Sequence, residues 1–188
     1  KGANAERRAQ YLTVATGLLV DDLSAMVAAW APGQKNYRAQ FEQGGKESVR
    51  KIIVGLGSLS RGELSGERME VALNSQDQED EHSCFSDNTH RDVATYAMGI
   101  QNVWLGEFKR RDGSQIKGLG LRDLVAAKNP ALAEKTSAQI AASVQGAEAI
   151  PAPFDRAIVK GSAGRPVIEK TVASLVAQSK LLVESASA

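Results

Sequence analysis

The chain has 188 residues, enough for one or at most two small domains with a real core. Its 23 basic and 22 acidic residues leave a net charge of +1, with no long Lys/Arg run, so it lacks the electrostatic footprint of a nucleic-acid binder. Aromatic residues make up only 5%, too few for a stacking platform for bases or sugars.

A single cysteine excludes an internal disulfide and leaves the redox compartment open. No basic-then-apolar leader precedes the first helix, and no apolar run approaches the ~20 residues needed to span a bilayer. The expectation is a cytosolic protein or a mature or truncated product. The abrupt start before a well-formed helix favours truncation.

Helical periodicity dominates. From about Ala5 to Ala31, Tyr11, Ala15, Leu19, Leu23, Met26 and Trp30 recur at spacings of three and four and share one helix face, which Pro32-Gly33 ends. Between Gly45 and about Asn74, Val49, Ile52, Ile53, Leu56 and Leu59 form a second face. Gly55, Gly57, Gly62 and Gly66 interrupt it, each costing roughly 1 kcal/mol against Ala. They allow close packing or mark a kink or break.

The third helix is the clearest, with Val93, Tyr96, Ala97, Ile100, Val103 and Trp104 in amphipathic register. Arg110 to Ser114 reads as a turn, and Leu121 to Lys128 as a short helix. Asn129-Pro130 is a good helix start, and that helix should run to about Glu148. Ile150 to Pro153 is a loop, and a last helix covers about Pro166 to Val183, with Ile168, Val172, Leu175 and Val176 facing inward. Strand alternation is weak throughout. The expected fold is all-α: an antiparallel bundle of about four long helices plus short ones, as a single domain over residues 1–188.

The chemistry concentrates between Asp77 and Asp92. These sixteen residues hold both histidines, the only cysteine and six carboxylates. Running the third helix's register backwards, the stripe Trp104, Ile100, Ala97, Val93 reaches His90, which is expected on the buried face at the helix's N-terminal end. A helix extending further back would put Ser86 or Asp87, Ser83 and Glu79 on the same stripe. A helix starting at Asn88 would make Asp87 or Ser86 the N-cap.

Carboxylates this crowded raise one another's pKa unless water, Arg68 or a cation neutralises them. Oxygen donors mixed with imidazole suit a hard or borderline cation, with iron favoured and zinc or calcium as alternatives. Glu81, His82, Asp87 and His90 are the candidate metal ligands, with Glu67, Arg68, Asp77, Glu79, Ser83 and Ser86 lining the site. The purely structural alternative stays open: acidic residues ahead of a helix are worth ~0.3–1 kcal/mol each with its macrodipole, and a core histidine can simply bond a carboxylate. Arg68 is expected either to fork onto a carboxylate of the segment or to form an ordinary surface ion pair. Cys84, beside Phe85, reads as a small buried group rather than a nucleophile.

Other motifs fail. Gly55-Leu56-Gly57 lacks the third glycine of a dinucleotide fingerprint, and Glu63 stands where a P-loop needs lysine. Neither a His-Glu-x-x-His run nor a Gly-x-Ser-x-Gly elbow occurs.

The run Gly66-Glu67-Arg68-Met69, followed by Asp77 to His90, resembles the imelysin family. Gly99-Ile100-Gln101-Asn102-Val103-Trp104-Leu105-Gly106 and Gly118-Leu119-Gly120-Leu121-Arg122-Asp123-Leu124 fit the same pattern. The match is nearest to the branch of iron-regulated protein A and insulin-cleaving metalloproteinase outer-membrane protein. The resemblance implies a bacterial, exported, often lipid-anchored protein of the periplasm or outer membrane. It implies two helical-bundle halves with the functional site between them, a link to iron uptake, and a metallopeptidase activity as the alternative function.

The family signature Gly-x-His-x-x-Glu is missing: Phe85 and Val93 stand three residues after His82 and His90. The chain therefore resembles the C-terminal half. The expectation is a metal-binding module sharing its site with a missing N-terminal half, and inactive as a peptidase when isolated. The expected partners are that half and other iron-uptake components, not nucleic acid. Membrane contact is expected only through a lipid anchor outside the chain.

Overall fold

A computed structural model describes residues 2–187. The chain is an all-α helical bundle with one small hairpin. It divides into two compact units, one ending at Ser48 and the other starting at Val49.

The first unit holds α1 (Ala5–Trp30) and α2 (Tyr37–Gln43). The Asn36 side chain closes the corner between them: its amide donates to the carbonyls of Ala28 (2.8 Å) and Ala31 (2.9 Å), and its oxygen accepts from the Ala39 N–H. Trp30 packs edge-on against Tyr37 and Phe41, with ring centroids 5.2 and 5.4 Å apart. The predicted face of α1 forms, but Tyr11, Leu19, Leu23 and Met26 on it are exposed.

By length and composition α1 is long and apolar enough to cross a bilayer, which corrects the expectation that no run of the chain is. Asp21 and Asp22 break the run without lowering the mean hydropathy enough to fail. They lie well inside the helix, and an aspartate at the centre of a span costs ~2.5–3.5 kcal/mol. The helix is therefore better read as amphipathic than as a span.

The second unit is the bundle. Its first long helical stretch runs through α3 (Lys46–Ser58), whose first three residues belong to the first unit, a π-helical segment (Leu59–Glu70) and α4 (Val71–Ser75). The glycine-interrupted helix expected over this region does not break. It widens instead, and the Val71 N–H reaches back to the Gly66 carbonyl. α5 (Thr89–Leu105), α6 (Leu121–Ala126), α7 (Pro130–Glu148), α8 (Phe154–Ile158) and α9 (Arg165–Ser187) follow. Asn129 caps α7 as expected, its side chain accepting from the Leu132 N–H at 3.1 Å. The short helices α2 and α8 and the hairpin β1 (Glu107–Lys109) and β2 (Gln115–Lys117) were not anticipated, being too short for periodicity to register.

Cross-helix bonds give the directions. Thr136 meets Ser185 and Ser143 meets Ser174, so α7 and α9 run antiparallel. Ser179 donates to the Gly57 carbonyl and Ser60 to the Leu175 carbonyl, so the π-bearing helix is antiparallel to α9 as well. Gln178, only 1% exposed, donates to Ser60, so this buried polar pair is satisfied.

One end of the core gathers Leu64, Met69, Ala94, Phe154, Ile168 and Leu175, and the other gathers Ile53, Ile100, Trp104, Ile140 and Leu182. Each such side chain contributes about 1.5–3 kcal/mol by leaving water. Val93, Ala97, Ile100 and Trp104 occupy the predicted stripe of α5, and the Trp104 indole donates to Ser137 at 2.9 Å. Val103, predicted on that stripe, is exposed instead.

Candidate functional site

The acidic segment connects α4 to α5 and folds on itself. Asp77 caps a single 3₁₀ turn (Gln78–Asp80), accepting from the Glu79 N–H at 3.0 Å. Gln78 then donates to the Asp87 carboxylate (3.1 Å) and the Cys84 carbonyl (3.4 Å), drawing the loop closed. Asp87 lies in the left-handed region, φ 51°, and α5 starts at Thr89. The helix starts one residue after the later of the two expected starts, so Asn88, and not Asp87 or Ser86, is the N-cap residue. Ser83 donates its N–H to the Thr89 hydroxyl at 3.1 Å.

His82 is held from two sides. Its Nδ1 lies 2.8 Å from Asp92 Oδ2 on the first turn of α5, and Tyr96, one turn later, meets the ring edge-on with centroids 5.7 Å apart. The Ser83 hydroxyl donates to the same Asp92 oxygen. A carboxylate accepts only, so Nδ1 carries a proton, and in the neutral ring Nε2 is the nitrogen with a free lone pair. The side chain is 28% exposed.

Glu81, the residue before His82, is buried. Burial raises its carboxyl pKa above the usual carboxylate range, a hydrogen bond from the Thr89 hydroxyl opposes the rise, and the negative fields of Asp155 and Asp87 add to it. Glu81 Oε1 has no hydrogen-bond partner, and neither does Oδ1 of Asp155 on α8. His90 is only partly buried, with its Nδ1 enclosed and unpartnered. Each such buried atom costs roughly 1–3 kcal/mol unless something outside the chain satisfies it.

The remaining candidates scatter. Arg68 pairs with Glu63 at 3.0 Å on its own helical stretch, so its expected fork onto the acidic segment is not formed. The wide π turn brings these two into reach, and a local partner asks less ordering entropy than a distant one. Glu67, Asp77, Glu79 and Ser86 are exposed. Cys84 is half-buried beside an almost fully exposed Phe85, against the expectation of a buried thiol. Among the described residues, no three His, Cys, Asp or Glu side chains come together in a group able to hold a metal ion.

Asp92, Tyr96, Thr89 and Asp155 were missed as site residues. Asp92 and Tyr96 share a face of α5, a spacing that could have pointed to them. Asp155 comes from far along the chain and carries no local signal. No curated protein matches the chain. The Imelysin family profile matches residues 1–182. With that match over nearly its whole length, the chain belongs to the Imelysin family.

Proposed function

We propose that this chain supplies one wall of a metal-binding site in an exported, iron-uptake-associated bacterial protein of the periplasm or outer membrane. The remaining ligands come from a part of the protein outside the chain. The observation that carries this reading is the fixed imidazole of His82. Metal-ligating histidines nearly always give their other ring N–H to a carboxylate, which sets the tautomer and makes the ring a better donor. Asp92 does this for His82, and Ser83 and Tyr96 hold the arrangement in place.

His82 would bind through Nε2, and Asp87, Glu81 and His90 are the other candidate donors of the same loop and helix start. The unpartnered oxygen of Glu81 fits this role, because a cation offsets the cost of a buried carboxylate. Iron suits the mixed nitrogen and oxygen donors, and zinc or calcium are the chemical alternatives. A bound ion would supply positive charge and Lewis acidity to ligands arriving at the junction. The metallopeptidase alternative ranks second, because it also needs a substrate groove and a placed general base, for which no geometry here argues.

The test is metal analysis of the full-length protein by plasma mass spectrometry, for the wild type and His82→Ala. Stoichiometric metal that falls at least tenfold in the variant is the expected result. A metal-free full-length protein, or metal content indifferent to His82, would sink the proposal.

A further inference from the structure

The hairpin at the C-terminal end of α5 buries almost nothing of its own. Two strands alone are marginal in water. This hairpin is anchored at its base: Gly118 donates to the Gly106 carbonyl at 2.8 Å, and a Cβ on Gly106 or Gly120 would lie within 2.7 Å of the facing backbone. Its tip is set by a turn in which the Gly113 N–H reaches the Arg110 carbonyl, with Gly113 at φ 85° and Asp112 bonded to Ser114.

That frame presents two things outward. Phe108 and Ile116 are cross-strand partners on one face, both about half exposed, and Leu119, three residues after Ile116, is 87% exposed. Lys109, Arg110 and Arg111 follow in sequence at the tip, all exposed and without an ion pair among the described residues, whereas Lys117 is paired with Glu107 at 3.1 Å.

We propose that this hairpin is a membrane-surface contact that adsorbs to anionic lipid headgroups, with the cations on the phosphates and Phe108, Ile116 and Leu119 in the interface. The charge of the turn is complementary to such a surface, and a membrane interface takes cationic and apolar groups together. The depression flanking the hairpin, lined by Val103, Phe108 and Ile116, is about 290 Å³ and shallow, at the small end of ligand-pocket sizes. The site is separate from the His82 loop and does not depend on the metal reading.

The experiment is co-sedimentation of the chain with vesicles of phosphatidylcholine alone and of phosphatidylcholine mixed with phosphatidylglycerol, at low and high salt. Binding should require phosphatidylglycerol and weaken with salt. At roughly fivefold per cation, K109A/R110A/R111A should lower it on the order of a hundredfold. Arg111→Glu, a single exposed change at the turn, gives the same direction if the triple variant folds poorly, and Leu119→Ser should reduce the salt-resistant remainder. No vesicle binding would overturn the proposal. So would equal binding to neutral vesicles, which the apolar face of α1 alone could produce, or binding indifferent to the tip charges. Capture by soluble poly-glutamate without vesicle binding would instead assign the tip to an acidic polypeptide.

Discussion

Asp92 Oδ2 accepts from both the His82 ring and the Ser83 hydroxyl, so one oxygen on the first turn of α5 sets the direction of the chain's most accessible imidazole. Asp92 need not touch a ligand to matter. Asp92→Ala should weaken metal binding by the full-length protein by about 10–100-fold without abolishing it, the usual range for an outer-shell partner. Asp92→Asn, which keeps an acceptor oxygen, should recover part of the loss. Isothermal titration with ferrous or zinc ion reads both, and an affinity unchanged in Asp92→Ala would separate the pair from the site.

Glu81 gives a pH prediction with a definite sign. Its folded-state pKa is raised, first by burial, so folding favours the protonated acid. The contribution is fully present below the unfolded value of about 4.3 and is lost as pH rises through the folded value. The raised pKa therefore costs stability at pH 7 relative to pH 4. Glu81→Gln should raise Tm at pH 7 by a few degrees and give no gain near pH 4. Thermal denaturation followed by circular dichroism across that range checks it, and a gain independent of pH would point to packing instead.

Asp123 titrates the opposite way. The Gly120 N–H at 2.9 Å holds its carboxyl below the usual range, and Arg122 at 3.0 Å adds to that. This stability is present above the unfolded value and lost as pH falls through the folded one. Asp123→Ala should lower Tm at neutral pH, with the difference from wild type closing in acid. Gly120 meets the end of α5 backbone to backbone, so hydrogen exchange of the hairpin should speed up in the same variant.

The core prediction rests on Trp104. Ser137→Ala leaves the indole N–H buried and unbonded and should cost ~1–3 kcal/mol. Trp104→Ala should cost ~3–5 kcal/mol through the cavity it opens. At about 2–4 °C per kcal/mol for a chain of this size, calorimetry distinguishes the two.

The helices were legible because apolar spacing records burial directly. The stripe Val93, Ala97, Ile100, Trp104 and the Asn129-Pro130 start are both met in the fold. Val103 was misplaced because its position on the wheel borders the stripe, and burial there depends on which neighbour arrives. The π segment was visible only as a row of glycines, since a change in hydrogen-bond register leaves the residue pattern nearly intact. The segment Asp77 to Asp92 could be singled out by composition.

Its inner arrangement could not be read in the same way. Whether Arg68 turns to Glu63 or to the loop, and whether Asp155 approaches Glu81, depends on loop closure and on contacts between residues distant in sequence, which no local period encodes. By itself the sequence determined the helical class, the principal inward faces and the place where charge and imidazole gather. Only the tertiary structure decided which carboxylate holds His82 and which oxygens stay unpartnered, because an unsatisfied buried atom is defined by its surroundings in space and not by its neighbours in the chain.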